Sequence, residues 1–226
     1  KDFQVYDYSG NKWIDFSSTI LVANVGHSNK KIISEIKKLL NKPLIHTYSY
    51  VSKERYEYLK ELIKFTPKYL QKAFLLSSGS EATEAALKIM RYYGQYYKKR
   101  KNIILSFEGN WHGRSLGAEM MGGKKNLKSW ITSHDKNIIH MPFPYPWNKD
   151  VKLDSAKFFK KNINKIIKRK KIIPKKDISG IILETFQGWG TIFYPQSFIN
   201  EVKNFCKKNN ILITFDEIQS GFGRTG

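Results

Sequence analysis

The sequence predicts an α/β protein with a mostly parallel sheet and helices on both faces, preceded by an N-terminal small-domain segment. Apolar, β-branched runs of strand length alternate with amphipathic stretches of helical length over most of the chain. A length of 226 residues with 41% hydrophobic content suffices for one large domain with a core and a piece of another. We expect the small-domain segment at residues 1–50 and a larger domain at residues 51–226.

The N-terminal part predicts a hairpin followed by two helices. Apolar and polar residues alternate over residues 5–16 on either side of a turn at residues 9–11. Another apolar run covers residues 20–25. Apolar residues at helical spacing then predict helices over residues 29–40 and 53–65.

The remainder of the chain predicts strands and helices in alternation. The predicted strands cover residues 73–76, 103–107, 178–183 and 211–215. The predicted helices cover residues 80–97, 155–171 and 197–209. The buried face of the first of these helices is predicted to contain Ala82, Ala85, Ala86, Ile89, Met90 and Tyr93. Three prolines within residues 141–147 predict an ordered surface loop.

The net charge of +21 makes nucleic acid a candidate partner. The positive residues are mostly lysines spread along the chain, which is more typical of a solvated surface than of base recognition by arginine. In the lysine-rich helix, apolar residues at helical spacing favour packing on a core over a phosphate-binding stripe. A basic nucleic-acid-binding module therefore stays the non-enzymatic alternative.

Cysteine usage and hydropathy exclude several classes of protein. The single Cys206 excludes an internal disulfide framework and a cysteine-only zinc site. No apolar stretch approaches the roughly 18 residues that a membrane-spanning helix needs. We expect a soluble cytoplasmic protein that binds neither nucleic acid nor membrane.

Four polar clusters fall at the carboxyl ends of the predicted strands, where the ligands of open α/β sheets bind. The clusters are residues 77–82, 108–114, 184–190 and 216–226. In the first, Gly79 at a helix start suits a phosphate or carboxylate, although Ser78 and Glu81 also fit a purely structural capping box. In the second, Trp111 suits stacking on a planar ligand or, alternatively, plugging a loop.

The other two clusters each begin with an acidic residue. Glu184 precedes two glycines and suits either a ligand site or a structural carboxylate that bonds loop amides. Strand alternation predicts that Asp216 points into the cleft, whereas Phe215 faces the other side and Glu217 points away.

Together these motifs resemble the class III aminotransferases, which are pyridoxal-phosphate enzymes of fold type I. The resemblance is carried by residues 77–88, Trp111-His112-Gly113-Arg114, residues 184–190 and, most specifically, residues 215–226. It implies amino transfer between an amine or amino acid and an oxo acid by a homodimer. The same family hosts aminomutases, racemases and decarboxylases, so another reaction of the cofactor is the enzymatic alternative.

The resemblance also implies a set of cofactor-binding residues. They are Ser78, Gly79, Ser80, Trp111, His112, Glu184, Asp216, Ile218 and Gln219. It implies that Asp216 pairs with the pyridinium nitrogen, while the positions of Trp111 and Ile218 lie on either face of the ring. The serines and Gly79 would bind the cofactor phosphate, Gln219 would reach the phenolic oxygen, and His112 and Glu184 would support these groups.

The resemblance further implies that the larger domain is incomplete at its C-terminus and that a catalytic lysine lies beyond Gly226. We therefore nominate no catalytic residue and expect this fragment to be inactive alone. Two positions depart from the family pattern. Thr185 stands where many relatives have Pro, and Trp189 stands where many have a Glu that neutralises the substrate-binding arginine. The departure at Trp189 suggests a bulkier or more apolar substrate.

Overall fold

The computed structural model describes residues 2–43, 50–97 and 100–225. The chain separates into two compact units, Lys1–Leu75 and Leu76–Gly226. This division does not test the predicted small-domain segment at residues 1–50, which stays a prediction.

The first unit begins with an antiparallel hairpin of β1 (Gln4–Tyr6) and β2 (Lys12–Ile14), which confirms the predicted hairpin. The Asp7 carboxylate accepts the backbone N–H of Asn11 at 2.9 Å. Gly10 takes a φ of +81°, which is favourable for glycine and closes the turn.

Two helices complete this unit after a left-handed turn, α1 (Ser18–Leu21), whose φ angles run from 50° to 67°. The helices are α2 (Lys30–Leu40) and α3 (Lys53–Phe65), as predicted. The Asn29 side chain caps α2 by accepting the N–H of Lys31 at 3.0 Å. None of the described residues of this unit is buried.

The second unit, Leu76–Gly226, contains the parallel sheet and is called the sheet unit. Its elements are α4 (Gly79–Tyr97), β3 (Ile103–Phe107), α5 (Leu116–Met121), β4 (Ile138–Met141), α6 (Lys149–Leu153), α7 (Ser155–Lys170), α8 (Pro174–Asp177), β5 (Ile178–Glu184), β6 (Phe186–Gln187), β7 (Ile192–Phe193), α9 (Gln196–Asn209) and β8 (Leu212–Asp216). A 3-10 turn covers Lys125–Lys128. Four strands form a parallel sheet in the order β4-β3-β5-β8, and β6 pairs with β7 in a separate antiparallel ribbon.

Helices cover both faces of the sheet, as the sequence predicted. Ile104 and Ile182 pack with Met90 of α4, whereas alternate residues of the same strands pack on the opposite face. There Phe159 of α7 and Phe198 of α9 are fully buried in the larger core cluster. Burying an aromatic side chain of this kind contributes about 1.5–3 kcal/mol. The lysine-rich helix therefore packs on a core.

Three predictions about residues 73–147 need correction. Residues 73–76 belong to no strand, and Phe74 is 76% exposed, since they have no ladder partner among the described residues. Helix α4 buries a face shifted from the predicted one, with Ile89 exposed and the buried residues Thr83, Leu87, Met90 and Gly94. The predicted surface loop at residues 141–147 begins with the last residue of β4 and buries Phe143.

A buried lysine joins two distant parts of the sheet unit. Lys101 is 1% exposed, and its Nζ donates to the backbone oxygens of Asn209 at 3.2 Å and Asn210 at 2.5 Å. These carbonyls lie at the C-terminal end of α9, where a positive charge also interacts favourably with the negative end of the helix dipole. Lys101 thereby anchors the start of β3 to the end of α9.

Within the described residues, no helix combines the length and the apolar content that crossing a membrane requires.

Candidate functional site

A cavity of about 240 Å³ opens where β5 and β8 end and helix α4 begins. All nine residues that the resemblance implied as cofactor-binding line it. The complete lining is Ser78, Gly79, Ser80, Trp111, His112, Gly113, Glu184, Phe186, Asp216, Ile218, Gln219 and Ser220. The topology brings these residues together because Glu184 and Asp216 pair in register at the ends of neighbouring parallel strands.

The start of α4 at the cavity contains both features that the sequence left open, a capping box and a helix end that faces a possible ligand. Ser78 Oγ accepts the N–H of Glu81 at 3.3 Å, while the Glu81 carboxylate accepts the N–H of Ser78 at 3.2 Å, so the capping box exists. Gly79 and Ser80 nevertheless line the cavity with the positive end of the α4 dipole. The cap orders the turn that presents this end.

Asp216 and His112 form the buried polar pair of the cavity. Asp216 Oδ2 lies 2.8 Å from His112 Nδ1, and the two side chains are 4% and 0% exposed. Asp216 Oδ1 accepts the backbone N–H of Ile218 at 3.2 Å. Glu217 is exposed, so the predicted alternation of the two acids is confirmed.

Glu184 connects two loops at the cavity wall. Its carboxylate accepts the N–H of Trp111 at 3.0 Å and the N–H of Gly188 at 3.0 Å. Burial raises the pKa of Glu184 to about 7, with the two backbone donors and His112 opposing this shift and the Asp216 charge adding to it. The structural alternative, a carboxylate bonding loop amides, is therefore observed, although Glu184 also lines the cavity.

Gln219 lies in the turn after β8 rather than on a continuation of the strand. Its Oε1 is buried and has no hydrogen-bond partner among the described residues. A Cβ on Gly188 would lie 1.6 Å from this oxygen, so only glycine leaves room for the amide. An unpartnered buried acceptor at the cavity suits a ligand group that donates a hydrogen bond.

Close packing surrounds the two residues predicted to flank a ring. Ile218 packs so near Gly79 that an added Cβ would lie 2.9 Å from its Cδ1. Trp111 is partly buried, and the Arg114 guanidinium carbon lies 5.4 Å from the centre of its indole ring.

Three of the lining residues, Gly113, Phe186 and Ser220, lie within the predicted clusters, but the resemblance implied no cofactor contact for them. Gly113 and Ser220 neighbour predicted site residues, so chain proximity could have found them. A Cβ on Gly113 would lie 2.4 Å from Ser80 Oγ, which shows how closely this loop approaches the helix start. Phe186 lies two residues after Glu184, but its residue type alone indicates no ligand, because aromatic side chains are also common in cores.

The two departures from the family pattern, Thr185 and Trp189, do not line the cavity. Trp189 is 62% exposed, with Lys124 Nζ 4.4 Å from its ring centre. The Thr185 hydroxyl donates to the Glu217 carboxylate.

The class-III aminotransferase family model matches residues 1–226. A mitochondrial acetylornithine aminotransferase of Candida glabrata is 35% identical, with 97% of this chain and 49% of that protein aligned. An adenosylmethionine-8-amino-7-oxononanoate aminotransferase of Staphylococcus aureus is 34% identical over 100% of this chain and 51% of its own length. The chain thus spans about half the length of these curated relatives.

Solved structures share the fold. An (S)-enantioselective omega-transaminase from Thermomicrobium roseum aligns with a TM-score of 0.89 at 23% identity, covering 100% of this chain and 51% of its own. A taurine:2-oxoglutarate aminotransferase from Bifidobacterium kashiwanohense, in complex with PLP and glutamate, aligns at 0.88 and 22%, covering 100% and 50%.

Proposed function

Because this chain belongs to the class-III aminotransferase family, we propose that the complete protein is a pyridoxal-phosphate-dependent aminotransferase. It would transfer an amino group between an amine or amino acid and an oxo acid. The observation that carries this proposal is the buried Asp216 carboxylate, which ends β8 at the cavity and is paired with His112. The family relationship further supports a homodimer, and we expect it in the cytoplasm.

The cavity fits the chemistry of pyridoxal phosphate. Ser78, Gly79 and Ser80 would hold the phosphate at the helix start, where backbone N–H groups and the dipole favour an anion. Asp216 would accept a hydrogen bond from the ring nitrogen, and the unpartnered Gln219 Oε1 would accept one from a protonated ring oxygen. Trp111 and Ile218 provide the apolar surfaces that a planar ring needs.

When bound, the cofactor supplies an electron sink for the carbanion that forms at the substrate carbon. The chain's own contribution is electrostatic and positional. The Asp216 carboxylate would keep a proton on the ring nitrogen, and His112 fixes the orientation of that carboxylate through Nδ1. Glu184 holds the loop of Trp111 against the loop of Gly188, which keeps the ring-binding surface in place.

No lysine is among the residues that line the cavity in the described part of the chain. We infer that the nucleophilic lysine of the family reaction comes from another part of the complete protein.

The test compares Asp216→Asn with the matched control Glu217→Gln, which neutralises the exposed neighbour. Wild type should develop the visible absorbance of the cofactor and transfer amino groups in an amine panel. We expect Asp216→Asn to lower kcat/KM by about 100-fold or more, since it removes the charge that retains the ring proton. Glu217→Gln should stay within about threefold, as expected for an exposed charge.

A wild-type protein that binds no cofactor, or an Asp216→Asn variant with wild-type activity, would overturn the proposal. Product analysis by mass spectrometry separates amino transfer from isomerisation and decarboxylation, which the same cofactor supports.

A further inference from the structure

A second and larger cavity, of about 430 Å³, lies in the sheet unit and shares no lining residue with the first. Its polar lining comprises Lys125, Lys128, Ser129, His134, Asp135 and His140. Volumes of this size accommodate small metabolites. Nothing in the amino-transfer chemistry uses these side chains.

Lys128 lines this cavity, and its amine has few hydrogen-bond partners. Its Nζ donates to the backbone oxygen of Met120 at 2.9 Å and lies 3.2 Å from His140 Nε2. That imidazole nitrogen also lies 2.7 Å from the Gly122 carbonyl, so it must carry a hydrogen and cannot accept one from lysine. One neutral carbonyl is therefore the acceptor that Lys128 has in the described part of the chain.

The nearby carboxylates do not contact this lysine. Asp135 Oδ2 pairs with Arg91 at 2.6 Å, and its Oδ1 accepts the N–H of Asn137 at 2.8 Å. Glu119 lies close enough to act on Lys128 through its charge, yet its Oε2 accepts the indole N–H of Trp130 at 2.6 Å. The acids around the cavity are thus already used by other donors.

The electrostatics agree with a cation whose charge is only partly compensated. Burial lowers the pKa of Lys128 to about 8, with the charge of Glu119 opposing the shift. Burial, then the Lys128 charge, lowers the pKa of His140 to about 4, so His140 is neutral and supplies no competing charge at neutral pH. A half-buried ammonium that contacts no carboxylate is costly, and a bound anion would lower that cost.

We propose that this cavity binds a small molecule through an oxyanion group, either phosphate or carboxylate, with Lys128 as the central charge. Lys125, Ser129 and His134 line the same cavity and provide additional donors. The remaining volume would take the organic part of the ligand. This site is separate from the helix start that we assign to the cofactor phosphate.

The test uses the complete protein saturated with pyridoxal phosphate, which fills the cofactor site. Inorganic phosphate and acetate serve as separate probes of the two oxyanion classes. Selective ¹³C labelling of lysine follows the Cε signal of Lys128, assigned by its loss in Lys128→Met. We expect a saturating anion to raise the pKa of Lys128 by about 1 unit or more, because an opposite charge stabilises the ammonium.

Affinity for the better probe should fall by about 10-fold or more in Lys128→Met, as expected when a charge-assisted hydrogen bond is lost. Lys128→Arg should retain most of the binding, and circular dichroism checks that both variants fold. Lys203→Met, which removes an exposed lysine of α9, is the matched control and should bind like wild type. Acetate binding should weaken as pH rises through about 8, since the free lysine then loses its charge.

Phosphate binding without acetate binding assigns the site to phosphate esters, and the reverse assigns it to carboxylates. An unmoved Lys128 pKa with both probes would overturn the proposal. So would equal losses in Lys128→Met and Lys203→Met, because these would reveal general attraction to a basic surface. Failure to bind cofactor would refute the aminotransferase proposal and leave this comparison of variants intact.

Discussion

Helices α2 and α7 have the same kind of amphipathic sequence but different surroundings. On α2, Ile36 is 51% exposed, whereas on α7 Phe159 is fully buried against the sheet. Both helices form with a capping side chain at the N-terminus. The difference teaches that periodicity specifies a helix, while burial needs a second apolar layer, which the described residues 76–225 supply themselves.

The strongest test of this comparison removes one large side chain from each region. Phe198→Ala should lower the free energy of unfolding of the sheet unit by about 3–5 kcal/mol, because it leaves a cavity in the core. Ile36→Ala on α2 should cost less than about 1 kcal/mol, since that side chain is already half exposed. Urea unfolding followed by fluorescence measures both. An equal cost for Ile36→Ala would show that this face is covered in solution.

The two regions should also respond to pH in opposite directions. In the cofactor-free protein, burial raises the pKa of Glu184 from 4.5 to about 7, so the folded sheet unit binds a proton that the unfolded chain has released. Its stability should fall by up to about 3 kcal/mol as pH rises from about 4.5 to 7. In Glu184→Gln this loss should disappear.

In the first unit, the hydrogen bond from His27 lowers the pKa of Asp15 from 3.8. Its contribution is therefore present above pH 3.8 and is lost as pH falls below that value. Hydrogen exchange resolved by peptide, between pH 2 and pH 8, separates the two regions, with the loss in the first unit expected at the acidic end. The same pH response in both regions would contradict this assignment.

The smallest effects are expected at the helix caps. Asn29 caps α2 and Asp154 caps α7, where its carboxylate accepts the N–H of Lys157 at 2.9 Å. Replacing either residue by Ala should cost about 1 kcal/mol. The loss should lower global stability for α7, which packs on the core, and appear as local fraying for α2. Hydrogen exchange measures both, with Asn29→Asp and Asp154→Asn as controls that keep the acceptor.

Much of the fold and the site follows from local sequence signals. Strand alternation predicted that Asp216 is buried and Glu217 exposed, and the end of β5 predicted the position of Glu184. These predictions succeeded because strand ends and side-chain alternation are local properties of the chain. Parallel packing then brings the ends together without further information.

Other features depend on partners that local sequence cannot identify. The buried face of α4 includes Gly94, where an added Cβ would lie 2.0 Å from the Lys101 backbone oxygen. Hydrophobicity scales do not identify such a glycine as a buried position. Strand β4 is short and contains His140, so its sequence resembles a loop. The predicted strand at residues 73–76 is apolar, yet a strand also needs a neighbour with which to pair.

The hydrogen bonds of Lys101 can form only late in synthesis. Its acceptors at the end of α9 lie 108 and 109 positions later in the chain, so they leave the ribosome long after the lysine does. Until then the Lys101 ammonium, which precedes β3, lacks these two acceptors, and the neighbouring strand β5 is also synthesised after β3. The nascent sheet therefore closes late, and a pause in translation before residue 210 would expose an unfinished apolar surface to chaperones.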